Sequence, residues 1–258
     1  MNLIDTHAHL CSEEFERDLG GVLERARREG VAAVIAVAEN VQDAHRNLAI
    51  SKEVPFVFPA AGIYPTILDI AQARKMHDFI RSNRHALVAI GEVGLDYWKV
   101  KDDEEREIQR EIFKSFIRLS KEIELPLNVH SRSAGRQALE MLLREGAENV
   151  QMHAFDGKSS TAMLGVEAGY YFSIPPSIVR SRQKQKLVRQ LPVTSLLSET
   201  DSPVLGPIPD KRNEPANVKV SVKVIAEIKG MKEEEVAEIL YENACRLYRV
   251  DVLKSGMI

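Results

Sequence analysis

Eight short apolar runs, most of them followed by an amphipathic segment, are the feature of this sequence that most restricts its fold. The runs cover residues 3–5, 31–37, 57–61, 86–91, 127–130, 150–154, 170–173 and 196–198. The second run, Val31-Ala-Ala-Val-Ile-Ala-Val, is continuously apolar, which is typical of a parallel strand buried on both faces. Regular alternation of such strands with helices predicts an α/β fold, a TIM-type (β/α)8 barrel.

Helical periodicity supports the same architecture. Helices are predicted between the strands at residues 15–29, 41–51, 71–81, 103–122, 136–144, 161–168 and 180–190, and after them at 218–229 and 233–248. The last segment predicts an additional C-terminal helix on the barrel. Barrels of this kind commonly reach this length as one unit, so we expect a single domain over residues 1–258.

Composition and charge narrow the class of protein. Lys and Arg number 35 against 38 Asp and Glu, and the net charge of −3 argues against a protein that coats nucleic acid or anionic membrane. Cys11 and Cys245 have no disulfide-framework spacing, and there is neither a secretion signal nor an apolar run long enough to span a membrane. We therefore expect a cytoplasmic protein, with no membrane association and no obligate protein partner.

Four of the seven histidines and two carboxylates fall at the carboxyl ends of the predicted strands. They are His7, His9, Glu92, His130, His153 and Asp201. Taken singly, each also fits an ordinary strand-end or loop-capping residue. Because all strand ends of a barrel open onto one face, these side chains should converge. Imidazole and carboxylate ligands together suit a divalent transition metal.

Six segments spread over nearly the whole chain carry a more specific signal. They are Asp5-Thr-His-Ala-His-Leu10, Ile90-Gly-Glu-Val-Gly-Leu-Asp-Tyr97, Val129-His-Ser-Arg132, His153-Ala-Phe-Asp-Gly157, Glu199-Thr-Asp-Ser-Pro203 and Arg212-Asn-Glu-Pro215. In this order they resemble the motifs of the TatD family of metal-dependent deoxyribonucleases, which belongs to the amidohydrolase-like barrel enzymes.

The resemblance implies how the ligands divide between metal ions. His7 and His9 would bind a first ion and His130 and His153 a second, with Glu92 as the carboxylate that bridges the two. The cofactors would be one or two divalent ions, Zn, Mn or Mg, and the imidazole ligands argue against Mg alone.

The resemblance also implies catalytic and supporting carboxylates. Asp201 would be the remaining metal ligand and would accept the proton of the attacking water, so that Asp201 and Glu92 are the catalytic residues. Asp5 and Asp96 would orient the metal-binding imidazoles, in the usual carboxylate-histidine-metal arrangement.

Substrate contacts are expected from two further motifs. The resemblance implies that Arg132, Arg212 and Asn213 bind the substrate, and the planar fork of an arginine can engage a phosphate at two points. Tyr97 and Trp98 follow the fourth-strand motif, where they either stack on a base or pack under the loop.

The sequence departs from the family pattern at two places. Many bacterial members carry Gly-Val/Ile-His-Pro-His after the third strand, whereas this chain reads Gly62-Ile-Tyr-Pro-Thr, and Tyr64 retains a hydrogen-bond donor for the substrate. In the sixth-strand motif, Ala154 and Asp156 replace the usual Cys and Ser/Thr. Asp156 is either a turn residue or a negative charge that alters substrate preference.

Together these features predict hydrolysis of phosphodiester bonds in DNA by a metal-activated water, with single strands or strand ends as the substrate and exonuclease action from an end. Two alternatives remain open at this point. A related barrel enzyme could hydrolyse a cyclic amide, an ester or another phosphoester with the same ligands. A non-catalytic, metal-stabilised binding protein would instead have a closed metal site.

Overall fold

A ring of eight parallel strands forms the centre of the fold in the computed structural model, which describes residues 1–250. The strands are β1 (Leu3–Ala8), β2 (Val31–Ala36), β3 (Val57–Ala61), β4 (Ala89–Gly94), β5 (Leu127–His130), β6 (Val150–Met152), β7 (Tyr171–Ile174) and β8 (Leu196–Ser198). Each strand pairs in parallel with the next one along the chain. The predicted TIM-type barrel is therefore confirmed.

The barrel closes between β1 and the segment that follows β8. A parallel bridge joins Ala8 to Ser202, the amide of His9 donates to Ser202 O at 2.8 Å, and the amide of Asp201 donates to His7 O at 2.9 Å. Closure pairs backbone groups that an open sheet edge would expose. It also sets the residues that follow β8 directly beside the end of β1.

Nine α-helices surround the ring within residues 1–250. They are α1 (Leu19–Arg28), α2 (Val41–Glu53), α3 (Ile70–Asn83), α4 (Asp103–Ile123), α5 (Gly135–Glu145), α6 (Ser159–Glu167), α7 (Arg182–Gln190), α8 (Val218–Lys229) and α9 (Glu233–Tyr248). Side-chain caps fix several starts: Asn40, Asp69 and Asp102 each accept a hydrogen bond from a backbone N–H in the first turn of α2, α3 and α4.

The additional C-terminal helix is confirmed as α9, which packs against β1 and β8. Leu247 and Tyr248 join an apolar cluster with residues of the strands, including Ile4 and Ile35. The hydroxyl of Tyr248 lies 2.9 Å from Asn128 Nδ2, so this helix also reaches polar side chains of the strands. The proposed single domain extends to residue 258, and residues 251–258 lie outside the described part of the chain.

Several predicted boundaries differ from the structure, among them the end of the first strand, expected at residue 5 and found at Ala8. The fourth strand was expected at residues 86–91 and lies at Ala89–Gly94, because Ala86 and Leu87 donate to Asn83 O and form the turn that ends α3. Glu92 is therefore inside β4. The first helix begins at Leu19 because a separate 3-10 turn, Glu13–Phe15, precedes it and buries Phe15. No helix in residues 1–250 is long and apolar enough to cross a membrane.

Candidate metal centre

All six predicted metal ligands lie together at the carboxyl ends of the strands, in two sets. The first donor group consists of His7, His9 and Asp201, and the second of Glu92, His130 and His153. Within each group, one ligand atom per residue lies within 4.8 Å of the others. Each group could therefore hold one metal ion.

The first donor group joins β1 to the segment after β8. His7 lies in β1 and His9 two residues further on, and their Nε2 atoms are 3.2 Å apart. Asp201 Oδ1 lies 3.5 Å from His7 Nε2 and 3.3 Å from His9 Nε2. Asp201 has φ 55°, a left-handed conformation that aspartate adopts more readily than most residues. The backbone hydrogen bond to His7 O holds this conformation and keeps the carboxylate beside the imidazoles.

Glu92 lies between the two donor groups. Its Oε1 is 2.6 Å from His130 Nδ1 and 3.0 Å from His153 Nε2. Its Oε2 faces the first group, at 3.9 Å from His7 Nε2 and 3.6 Å from His9 Nε2. One carboxylate can therefore supply an oxygen to each of two ions, which in two-metal enzymes are about 3.5–4 Å apart.

Glycine permits this arrangement of β4 and β5. Gly94 has φ 147°, and a Cβ built on it would lie 2.0 Å from His130 O. Any larger residue at this position would push the two strands apart. The close approach keeps Glu92 beside His130.

The protonation of the second donor group reflects its mixture of charges. Although burial raises the pKa of Glu92, the nearby His130 and His153 lower it well below its usual range. Burial lowers the pKa of both imidazoles, but the negative charge of Glu92 outweighs burial and raises both. In the second group, Glu92 is therefore ionised, and a positive charge is favoured beside it.

The two imidazoles of the first donor group differ. Burial lowers the pKa of His7 to about 3, so its ring is neutral and its Nε2 can offer a lone pair to a cation. Burial also opposes protonation of His9, but a hydrogen bond with Asp201 and the charge of Glu92 outweigh burial and raise its pKa to about 9. A cation is favoured beside His9, where a divalent ion could take the place of the proton.

The two carboxylates expected to orient imidazoles have different contacts. Asp96 Oδ2 lies 3.1 Å from His130 Nε2, which leaves Nδ1 of that ring facing Glu92. Asp5 touches no imidazole and instead accepts hydrogen bonds from the backbone N–H of His7 at 3.3 Å and of Thr200 at 2.8 Å. Burial raises the pKa of Asp5 to about 8 against these hydrogen bonds. Asp5 therefore positions the backbone of the centre, which corrects the expected contact.

Sequence reasoning missed three side chains that face imidazoles. One is the partly exposed Glu39, whose Oε1 lies 3.4 Å from His9 Nδ1 and which forms a further possible donor group with His9 and Glu92. The other two face His7 and His153. Asn128 Oδ1 is 2.8 Å from His7 Nδ1, and Glu199 Oε2 is 3.5 Å from His153 Nδ1. Both are fully buried, and each lies in or beside a strand. A polar residue inside an otherwise apolar strand must find a buried partner, and this was the available signal for Asn128.

A cavity of about 1060 Å³ opens at the donor groups. Arg132 lines it, and its guanidinium stacks 3.7 Å from the ring centre of Trp98, an exposed residue. Tyr64 also lines the cavity, with its ring edge-on to His130. Tyr97, by contrast, is buried and its hydroxyl lies 2.9 Å from Arg110. Of the two aromatic residues in this loop, Trp98 is therefore the one that a base could reach.

The other two predicted substrate contacts do not line this cavity. Arg212 donates to both carboxylate oxygens of Asp18 at 2.7 Å and to Glu14 O at 2.7 Å. Asn213 is buried and its amide donates to the carbonyls of Thr200 and Val204. Both side chains support the loop after β8: the amide of Asn213 and three of the five donors of Arg212 are engaged there, and neither side chain lies at the cavity wall where a substrate contact was expected.

The residues that depart from the family pattern have local contacts. Asp156 Oδ2 accepts a hydrogen bond at 2.8 Å from the backbone N–H of Ser133, which ties the loop after β6 to the loop that carries Arg132. This contact favours the interpretation of Asp156 as a loop residue. Ala154 has φ 41° and donates its N–H to Glu199 Oε1, and Thr66 is exposed.

The donor set fits divalent metal ions. Glu92 Oε2 is buried, yet it has no hydrogen-bond partner in residues 1–250, although it faces the imidazoles of the first donor group. A buried carboxylate oxygen in this position is costly unless a proton or a cation meets it. Imidazoles combined with carboxylates suit Zn or Mn better than Mg alone.

Comparison with known proteins gives one consistent result. The family model described as TatD related DNase matches residues 4–249. The putative deoxyribonuclease TATDN3 of Mus musculus is 46% identical over 263 aligned positions, which cover 96% of this chain and 88% of the mouse protein. The deoxyribonuclease TATDN3 of Homo sapiens is 45% identical over 263 positions, covering 96% and 95%. Among solved structures, YJJV, a TatD homologue from Escherichia coli, has a TM-score of 0.90 at 27% identity and covers 96% of this chain and 98% of that one.

Proposed function

The chain belongs to the TatD-related DNase family, and on that premise we propose that it hydrolyses phosphodiester bonds of DNA with one or two divalent metal ions held by the two donor groups. The observation that carries the proposal is the position of Glu92. Its two oxygens face different donor groups, as a carboxylate shared by two ions requires.

Three side chains at the cavity have separate roles in this chemistry. Bound divalent ions would lower the pKa of a water molecule and stabilise the negative charge on the attacked phosphoryl group. Asp201 accepts the proton of the attacking water, because its carboxylate lies at the cavity wall and its backbone is held by β1. Arg132 contacts a phosphate oxygen and Tyr64 donates a hydrogen bond to the substrate, since both line the same cavity.

The charge of the cavity wall supports strand ends or single strands as the substrate. One side of the cavity, formed by the segment after β1, the segment after β2 and α2, is lined by five carboxylates: Glu13, Glu14, Glu16, Glu39 and Asp43. These carboxylates would repel duplex DNA more than a single strand or a strand end, because duplex DNA carries about twice the charge per unit length. The net charge of −3 likewise offers little general attraction for duplex DNA. We propose exonuclease action, Zn or Mn as the preferred ion, and a cytoplasmic location, which the low cysteine content supports.

The test is cleavage of end-labelled single-stranded and double-stranded DNA by protein that has been stripped with a chelator and reloaded with Mn, Zn or Mg. Asp201→Asn should reduce the rate by about 10²- to 10⁴-fold, the usual contribution of a positioned base. Asp78→Asn is the matched control, since it makes the same change at an exposed aspartate of α3 that does not line the cavity. Full activity of Asp201→Asn would remove Asp201 from the mechanism. Hydrolysis of a dihydropyrimidine or a simple ester with DNA left intact would replace the proposed substrate.

A further inference from the structure

Lys184 is a buried cation on a helix whose other basic side chains are exposed. It lies in the first turn of α7 on the same face as Leu187 and Val188, and 8% of the residue is exposed. Arg182 and Lys186 of the same helix face solvent. Burial of an ammonium group is costly unless an anion or several hydrogen bonds compensate for it.

Few contacts within the protein offset the cost of burying this ammonium group. Lys184 Nζ donates one hydrogen bond, at 3.0 Å, to the carbonyl of Ala154, the residue after His153. An ammonium group has three donors, and within residues 1–250 carboxylates act on this one only through longer-range charge, without a hydrogen bond. Burial lowers the pKa of Lys184, while the more distant charges of Glu199 and Asp156 raise it. Lys184 therefore has unused donors at the wall of the metal cavity.

The other lysine and arginine side chains of the cavity wall are exposed or paired. In residues 1–250, three lysine or arginine side chains line the cavity: Arg46, Arg132 and Lys184. Arg46 is 3.4 Å from Glu16, and Arg132 is exposed and stacked on Trp98. Only Lys184 is both buried and without a carboxylate contact.

Holding the loop after β6 does not by itself explain a lysine at this position. The neighbouring Gln183 already joins α7 to that loop, because its Nε2 donates to Gly157 O at 2.8 Å and to Phe155 O at 3.3 Å. A neutral side chain could pack beside Leu187 without the cost of a buried charge.

We propose that Lys184 binds a phosphoryl oxygen of the substrate beside the two donor groups, an inference that rests on the proposed function. An ammonium group is a compact charge that serves well as a phosphate contact. The interaction is a charge-assisted hydrogen bond from Nζ to the oxygen, with no covalent step. Lys184 is thus a substrate-binding residue on the α7 side of the cavity, separate from Arg132 after β5.

The test compares Lys184→Met, Lys184→Arg and, as the matched control on the exposed face of the same helix, Lys186→Met. Calorimetry would measure the Kd of inorganic phosphate for metal-loaded protein, with metal content and Tm determined on the same samples. Lys184→Met should weaken phosphate binding and lower kcat/KM for DNA by about 10- to 100-fold, the usual range for a hydrogen bond to a charged group. Lys184→Arg should recover part of both losses, and Lys186→Met should match the wild type.

Two results would overturn the assignment. One is wild-type phosphate affinity in metal-loaded Lys184→Met. The other is a loss of metal content or Tm in that variant that accounts for its weaker binding, which would make Lys184 a structural residue. A wild-type protein that binds phosphate through Lys184 but cleaves no DNA would instead contradict the proposed function and leave the phosphate contact standing.

Discussion

Replacement of Asn128 by alanine should weaken both the barrel and the metal centre, because one amide serves both. Its Oδ1 lies 2.8 Å from His7 Nδ1, and its Nδ2 donates to Thr6 O at 3.0 Å and to the hydroxyl of Tyr248 at 2.9 Å. The side chain is fully buried. Water therefore has no ready access to replace these partners.

The two effects can be given separate magnitudes. Three buried hydrogen bonds contribute about 1 kcal/mol each, so Asn128→Ala should lower the free energy of unfolding by about 3 kcal/mol. Loss of the partner that orients a metal-binding imidazole typically weakens metal affinity about 10- to 100-fold, or about 1.4–2.7 kcal/mol. Asn128→Asp should retain more of the metal affinity, since it keeps an acceptor for His7 Nδ1 while losing the donor to Thr6.

Gln151→Ala provides the matched control. Gln151 is also fully buried and makes three hydrogen bonds, to Ser173 Oγ, Thr6 O and the hydroxyl of Tyr248, but none to an imidazole. Urea denaturation of the metal-free proteins should show similar losses for both variants, and metal titration should show weakened binding for Asn128→Ala alone. Equal losses of metal affinity in the two variants would refute the role assigned to Asn128.

Other regions of the fold give independent tests. Gly94→Ala should lower the free energy of unfolding, measured by urea denaturation, by about 2–4 kcal/mol, because its Cβ would lie 2.0 Å from His130 O. Gly169 is also at positive φ, but a Cβ there would have no atom within 4 Å. Gly169→Ala should therefore lower the free energy of unfolding by only about 1–2 kcal/mol. Equal losses would show that the close strand approach is not responsible. Addition of Mn or Zn at about 100 times its Kd should stabilise stripped protein by about 2.7 kcal/mol and raise Tm, and an unchanged Tm would contradict a metal centre in the native state. Burial and the charge of Arg81 lower the pKa of His77, so the unfolded chain binds the proton more tightly than the folded protein. The free energy of unfolding should therefore fall as pH decreases below 6.5. His77→Gln should make this fall shallower, and an unchanged dependence on pH would exclude His77 as its source.

The barrel and the convergence of the six candidate ligands at one end of it could be predicted because their signals repeat along the chain. Eight apolar runs set the strand order, and placement of histidines at strand ends follows from the geometry of a parallel barrel. The start of β4 could not be predicted in the same way. Ala86 and Leu87 are as apolar as the strand residues after them, and only their hydrogen bonds to Asn83 place them in a turn.

Contacts between distant parts of the chain explain the remaining differences. Arg212 belongs to a motif that suggests phosphate binding, but it lies beside Asp18, 194 positions away in sequence, and the two form a bidentate pair. Glu199 lies two residues before Asp201, and only the fold shows that it faces His153. Lys184 follows the periodicity of a basic surface helix, and its burial depends on how α7 packs over the cavity.

The most direct test of the central claim is DNA hydrolysis in water enriched in heavy oxygen, with mass spectrometry of the products. Stripped protein reloaded with Mn or Zn should release nucleotides whose phosphate carries one solvent oxygen per bond cleaved, and Asp201→Asn should release almost none in the same time. Labelled phosphate that forms equally fast without metal, or loaded protein that leaves DNA intact, would contradict a metal-dependent phosphodiesterase centre at these six residues.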